Sequence, residues 1–298
     1  MDGETLQVEA PAKVNLSLRV KGPDASGMHP LLSLVQSFDR CDRLSAALAG
    51  EDDLDVGDVD LPLGRDNLIW RAVDALRTET GDPRHFAFSL SKLIPIAAGL
   101  AGGSADAAAA LVAVSALLGL SRPTIMDVAV RVGADVSFCI QGGFSWMEGH
   151  GDRLDPLDQV PTDYALAVAV PPFALDTAAV YRRWDRLGQP RGEAVDGKHV
   201  PPSLRSFGPF VNDLYPAALD LRPDLGDWRA ALTDRWERPV MLSGSGPSLF
   251  AYFGDRFEAA EAAELAPPEA RARFATSPVA FGAHLVEEGD SLAESRPQ

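Results

Sequence analysis

The stretch Pro95-Ile-Ala-Ala-Gly-Leu-Ala-Gly-Gly-Ser104, continued by an alanine-rich run from Ala105 to Leu118, is the most informative part of the chain. Phe86 to Leu93 before it alternates apolar and polar residues with the period of a half-buried strand, so the local order reads strand, glycine-rich loop, helix. Gly99, Gly102 and Gly103 allow close approach of a ligand to the backbone, and Ser104 is expected to open the helix. Free N–H groups at that end, aided by the helix dipole, attract a phosphate without a local lysine. The alternative is a turn that merely lets the helix pack tightly, and the glycines alone do not separate the two. The stretch has neither the G-K-[ST] ending of a P-loop nor the G-x-G-x-x-G spacing of a dinucleotide fold, which disfavours both classes.

Outward from that loop, Leu6 to Ala10 and Val14 to Val20 alternate as strands, and Gly22 to Gly27 is a turn leading to strand-like segments at Leu31 to Phe38 and Leu44 to Leu48. Asn67 to Thr80 has helical spacing with Asp66 as the expected N-cap and Gly81 as its end. A second helix is expected over Thr124 to Val132, a short buried element over Gly133 to Phe138, and strands at Phe144 to Glu148 and Tyr164 to Val170. Gly188 to Gly208 reads as a mobile loop. Helices near Asn212, Trp228 and Arg256 alternate with strands near Val240, Leu249 and Ala280, and Glu288 to Gln298 reads as a loose tail. Strands interleaved without a regular βαβ repeat predict an α+β chain, and the length of 298 residues predicts about two domains.

Lys and Arg number 27 against 43 Asp and Glu, a net charge of −16 that opposes nonspecific binding to nucleic acid or anionic lipid but leaves room for a local anion pocket. Cys41 and Cys139 are far apart and read as reduced thiols, with no disulfide framework or zinc spacing. Apolar runs are interrupted before they reach the ~20 residues of a membrane span. The expectation is a cytoplasmic protein with a small-molecule substrate, acting as monomer or homodimer, with neither nucleic acid nor membrane as partner.

A second cluster, Ser243-Gly-Ser-Gly246, lies between apolar strands and could set Gly244 and Gly246 beside the same anion, or be an ordinary hairpin loop. Lys13 heads a strand, and Asp135 stands among apolar neighbours that would desolvate it. Together they could activate a hydroxyl and neutralise phosphate charge; singly they read as a surface lysine and a helix cap. His29 sits in a turn and could read a ligand or simply hold a backbone group. His85, His150, His199 and His284 have no metal-ligand spacing and receive no role; no metal site is expected.

In order, Pro11-Ala-Lys-Val-Asn15, the stretch from Pro95 to Ala108, and Ser243 to Gly246 resemble the three motifs of the GHMP kinase superfamily. Gly27-Met-His29, Leu34-Val-Gln36, Asp66-Asn-Leu68, Gly133-Ala-Asp-Val136 and Asn212-Asp213 resemble the branch that phosphorylates 4-diphosphocytidyl-2-C-methyl-D-erythritol. The resemblance implies a two-domain fold, residues 1–160 nucleotide-binding and catalytic and 161–298 the C-terminal GHMP kinase domain, with the active site in the cleft between them. It implies ATP and Mg²⁺, and transfer of the γ-phosphate to the 2-hydroxyl of that acceptor in the non-mevalonate route to isoprenoid precursors. By position it makes Lys13 and Asp135 the catalytic pair. It gives the ATP phosphates to Pro95, Ile96, Ala97, Ala98, Gly99, Leu100, Ala101, Gly102, Gly103, Ser104 and Ala105, with Lys92 along the nucleotide. It gives the acceptor to Asn15, His29 and Tyr181, with His29 and Tyr181 at the cytosine.

Four positions depart from that pattern. Met28 stands in place of a tyrosine beside the histidine, Ala101 of a glycine, Ala105 of a second serine and Ser137 of a proline. Met28 removes one face of an aromatic sandwich, because a thioether packs on a ring with less directional preference than a second ring. The resemblance therefore leaves a GHMP kinase with another acceptor as the alternative, and a nucleotide-binding protein without turnover as a third.

Overall fold

The computed structural model describes residues 5–286, so the tail expected at Glu288 to Gln298 lies outside the described residues. Strands β1 (Leu6–Val20) and β2 (Leu31–Ala49) form the antiparallel hairpin expected from their alternation. They are followed by β3 (Asp53–Asp55), α1 (Leu68–Thr80), β4 (His85–Ser91), α2 (Gly102–Leu118), α3 (Arg122–Val132), α4 (Val136–Gln141), β5 (Phe144–Gly149) and β6 (Arg153–Pro156). The second half runs β7 (Ala165–Val170), α5 (Thr177–Arg186), α6 (Tyr215–Leu221), α7 (Asp224–Trp236), β8 (Met241–Leu242), β9 (Leu249–Phe253), α8 (Arg256–Glu264), β10 (Ala272–Thr276), β11 (Pro278–Val279) and β12 (His284–Leu285). Two short 3₁₀ turns, Gly197–His199 and Pro202–Phe207, punctuate the segment from Gly188 to Gly208. The class is α+β, as expected from the sequence.

The first sheet has the order β12-β1-β2-β4-β3 and branches at β2, whose Leu31 to Gln36 pair β5 and whose Arg43 to Ala49 pair β4. The second sheet is β10-β7-β9-β8, antiparallel throughout. After the second sheet the chain returns to the first, where β11 pairs β2 and β12 pairs β1. One apolar core joins residues of both sheets and of α2, including Val14, Leu111, Val168 and Phe250. No helix among the described residues is long and apolar enough to cross a membrane.

Three local details depart from the sequence reading. Asn67, not Asp66, caps α1: its side chain accepts from the Ile69 N–H, while Gly81 ends the helix in the left-handed conformation as expected. Helix α2 begins at Gly102 rather than Ser104, so two glycines form its first turn and Ala101 precedes it at φ 58°. Strand β1 is buried on both faces along most of its length instead of on one. Helix α2 packs on it, and residues 209–213 also lie against it, with Leu18 N–H donating to Val211 O and Asp213 N–H to Leu18 O.

Helix α2 is apolar on nearly every side because it is enclosed by α1, α4, β1 and β2, and its alanines let those neighbours approach closely. Register shifts in the β1/β2 ladder fall between Pro11 and Ala12 and between Asn15 and Ser17, so they bracket Lys13 and Asn15. Such irregularities re-aim side chains next to functional sites.

Candidate active site

A cleft of about 680 Å³ lies where β1, the loop before α2, the start of α4, α5 and the 243–246 turn converge. Its lining includes Lys13, Asn15, His29, Gly99, Ser104, Asp135, Tyr181 and Gly244. A depression of about 760 Å³ beside α7, lined by His199, Tyr215 and Arg229 among others, contains none of the motif residues.

The floor of the cleft is the loop from Ala97 to Ala101, entered through Pro95 and Ile96, and every carbonyl from Ile96 to Ala101 accepts from a protein donor. Arg271 donates to Ile96 O at 2.7 Å and to Ala97 O at 2.9 Å. The Ser248 N–H takes Ala98 O, the Ser243 hydroxyl takes Gly99 O, the Lys13 N–H takes Leu100 O, and the Ala105 N–H takes Ala101 O. Residues 96–97 form a tight turn, and among the described residues the N–H groups of Ile96, Ala97, Gly99, Leu100 and Ala101 donate to no protein group. The amides of Gly102, Gly103 and Ser104 open α2 and have no intrahelical acceptor. A peptide run with its acceptors satisfied and its donors free is a cradle for an anion.

Gly99 is the position where only glycine fits. At φ +78° a side chain would be strained, and a Cβ would stand 2.6 Å from Ser243 O and 2.8 Å from Gly246 O. The second glycine cluster thus splits its work: Gly244 and Ser245 line the cleft, while Ser243 and Gly246 brace the first loop from behind.

Lys13 is 5% exposed, and its ammonium sits 2.6 Å from Asn15 Oδ1 and 3.2 Å from Asp135 Oδ2. Asn15 is itself fixed by Ser33 at 2.7 Å, which donates in turn to Ser17 O. Asp135 immediately precedes α4, with its side chain 28% exposed to the cleft. A buried cation beside a reachable carboxylate can stabilise developing negative charge while the carboxylate accepts a proton.

At the other end His29 Nε2 lies 2.9 Å from Asp185, and its ring lies 5.0 Å from Tyr181 and 5.9 Å from Trp184. Burial, with Asp135 adding to it, holds the Tyr181 phenol well above its usual pKa, so it stays neutral. Met28 also lines the cleft and is 50% exposed.

The fold and the motif order have known counterparts. Residues 67–143 match the GHMP kinases N terminal domain. A 4-diphosphocytidyl-2-C-methyl-D-erythritol kinase of Geobacter sulfurreducens is 36% identical over 280 residues, which cover 91% of this chain and 98% of its own. The chain belongs to the 4-diphosphocytidyl-2-C-methyl-D-erythritol kinase family of the GHMP kinases. A crystal structure of a 4-(cytidine 5'-diphospho)-2C-methyl-D-erythritol kinase superposes with a TM-score of 0.75 at 32% identity, over 92% of this chain and 99% of that one. Homoserine kinase from Cytophaga hutchinsonii shares the fold, with a TM-score of 0.71 at 19% identity over 96% of this chain and 98% of its own.

Within this GHMP kinase, Lys13, Asn15, His29, Asp135, Tyr181 and the Ala97 to Ser104 run converge on one cleft, apart from Leu100, which is buried beneath it. Pro95 and Ile96 lead into the loop, and Ala105 is buried in α2. Lys92, expected along the nucleotide, is absent from the lining. Its ammonium lies beneath the loop, bound by Asp42 and, at 2.7 Å, by Asp106, and all three side chains are nearly inaccessible. Asp42 also accepts from the N–H groups of Leu93 and Ile94. Burial would lower the Lys92 pKa, but the two carboxylates outweigh it and raise the ammonium above the ordinary lysine value. Burial pushes Asp106 up to about 7, with Lys92 opposing and Asp42 reinforcing the rise.

Three residues at or beside the cleft were not singled out in the sequence, Asp185 as the partner of His29 and Arg182 and His150 in the lining. Asp185 lies one helical turn after Tyr181 on α5, a spacing that could have flagged it. Arg182 and His150 also line the cleft, His150 held 2.8 Å from Asp24. Neither stands in a local pattern that announces a site.

Proposed function

We propose that this chain transfers the γ-phosphate of Mg·ATP to the 2-hydroxyl of 4-diphosphocytidyl-2-C-methyl-D-erythritol. The observation that carries the reading is the Lys13–Asp135 pair at 3.2 Å, set in the same cleft as a loop with satisfied carbonyls and free amides. Asp135 takes the proton of the acceptor hydroxyl as its oxygen attacks the γ-phosphorus, and ADP leaves. Lys13, aimed by Asn15 and Asp135, balances the charge that gathers on the transferring group. The amides from Ala97 to Ser104 hold the phosphates in line.

Among the described residues no group of three or more carboxylate, histidine or cysteine side chains is placed to hold a metal ion. That donor set fits a Mg²⁺ that arrives on ATP and keeps its phosphate and water ligands, with Asp135 and the Ser104 hydroxyl as the cleft oxygens able to complete its shell. The ion would neutralise phosphate charge. His29 and Tyr181 receive the cytosine, and Asn15 the sugar alcohol. In this reading residues 1–160 supply phosphate binding and proton transfer, and 161–298 supply Tyr181 and the braces of the loop. We place the protein in the cytoplasm as monomer or homodimer.

Met28 supports one second reading, in which the acceptor carries no cytosine. A coupled ADP-release assay with 4-diphosphocytidyl-2-C-methyl-D-erythritol, homoserine, mevalonate, phosphomevalonate and galactose separates them. Turnover confined to the first supports the main reading; turnover on another moves the acceptor; silence on all with Mg·ATP still bound overturns this acceptor and points to an untested one or to nucleotide binding without turnover.

A further inference from the structure

We propose that Arg271 is a positioning residue that holds the phosphate loop in its binding shape from outside the cleft. The inference rests on the reading of residues 95–104 as the ATP phosphate site. Arg271 lies just before β10, in the second half of the chain and outside the cleft lining. Its two terminal nitrogens donate to consecutive carbonyls, Ile96 O at 2.7 Å and Ala97 O at 2.9 Å. Its Nε donates to Pro171 O at 3.2 Å and its own N–H to Val170 O at 2.9 Å, which tie the guanidinium to the end of β7.

The loop needs such a hold because it contains alanines where glycine would be at ease. Ala97 has φ +48° and Ala101 φ +58°, left-handed conformations that cost a residue with a Cβ. At Ala101 the cost is offset because its carbonyl starts α2 through Ala105. At Ala97 the one protein partner of the carbonyl among the described residues is Arg271. The fork also removes two carbonyl dipoles that would otherwise be free to turn toward phosphate oxygens, and places a positive charge behind the loop. A planar guanidinium spans two neighbouring carbonyls in a fixed geometry, whereas an ammonium offers a point charge.

The test is calorimetric titration of a nonhydrolysable Mg·ATP analogue into the full-length protein, with the KM for the acceptor measured in parallel. Arg271→Met is expected to weaken analogue binding about tenfold, the scale of one strained alanine, with acceptor KM changed less than about twofold. Arg271→Lys keeps the charge and loses the fork, and is expected to lie close to Arg271→Met. Adding Ala97→Gly, which makes the left-handed conformation easy, is expected to recover most of the loss in either background. Unchanged analogue binding, an equal rise in both constants, or a loss that Ala97→Gly does not recover overturns the inference. If the parent protein itself does not bind the analogue, the phosphate-site reading fails instead.

Discussion

The two ends of the cleft are built on different plans. At the phosphate end every carbonyl from Ile96 to Ala101 has a protein donor, and a buried Lys92 with two aspartates supports the floor. At the acceptor end Met28 is half exposed, and His29 is oriented by Asp185 with two rings near it. In the proposed reading the difference teaches that triphosphate recognition rests on backbone shape, which many contacts must hold, while acceptor recognition rests on side chains that single substitutions can retune.

Breaking the chemistry between the two ends gives the largest effect. Asp135→Asn removes the proton acceptor but keeps the size and the contact with Lys13, so kcat should fall by about 10²–10⁴ with little change in either KM. Steady-state kinetics checks this, and an unchanged kcat refutes the assignment of the base. At the phosphate end, Gly99→Ala forces a Cβ against Ser243 O and Gly246 O at a positive φ. Mg·ATP-analogue affinity should drop about a hundredfold while acceptor binding persists, a contrast that equilibrium titration of each ligand would expose.

The floor beneath the loop makes a pH prediction. Asp106 rises from 3.8 to about 7 in the folded chain, so between those values the native state holds a proton that the unfolded state has lost, and stability declines as pH rises through that window. The groups facing Asp106 are Lys92 and Asp42, and Asp106→Asn should flatten this decline in urea midpoints measured from pH 4.5 to 7.5. An equally steep decline in the variant assigns the effect elsewhere. The smallest effect is expected at the proposed acceptor end, where Met28→Tyr should lower the acceptor KM by about three- to tenfold by adding an aromatic face to a lining that already holds Tyr181. No change in KM would place the cytosine away from Met28.

The same contrast explains what the sequence made legible. The strand, loop and helix order around residues 95–104 was readable because the three are contiguous, and backbone geometry is written in local residue types. The approach of Lys13 to Asp135 was readable only through their motif context, since nothing local brings a residue of β1 to the start of α4. Lys92 was misplaced for a related reason: a lysine beside a phosphate loop reads as a ligand, and its partners Asp42 and Asp106 come from positions 50 and 14 residues away. Asn67 displaced Asp66 as the α1 cap by a single position, a distinction that depends on backbone angles rather than composition. Asp185 left only its one-turn spacing from Tyr181 on α5, and Arg271, which reaches carbonyls 174 and 175 residues away, left no local trace.

The braces of the phosphate loop also set an order in time. Ser243 and Arg271 reach carbonyls that lie 144 to 175 residues earlier in the chain. At ribosomal speed that interval is on the order of 10 s. A nascent chain therefore exposes its glycine-rich loop long before the groups that shape it exist, and it should gain the capacity to hold ATP only after residues 243–271 have been made.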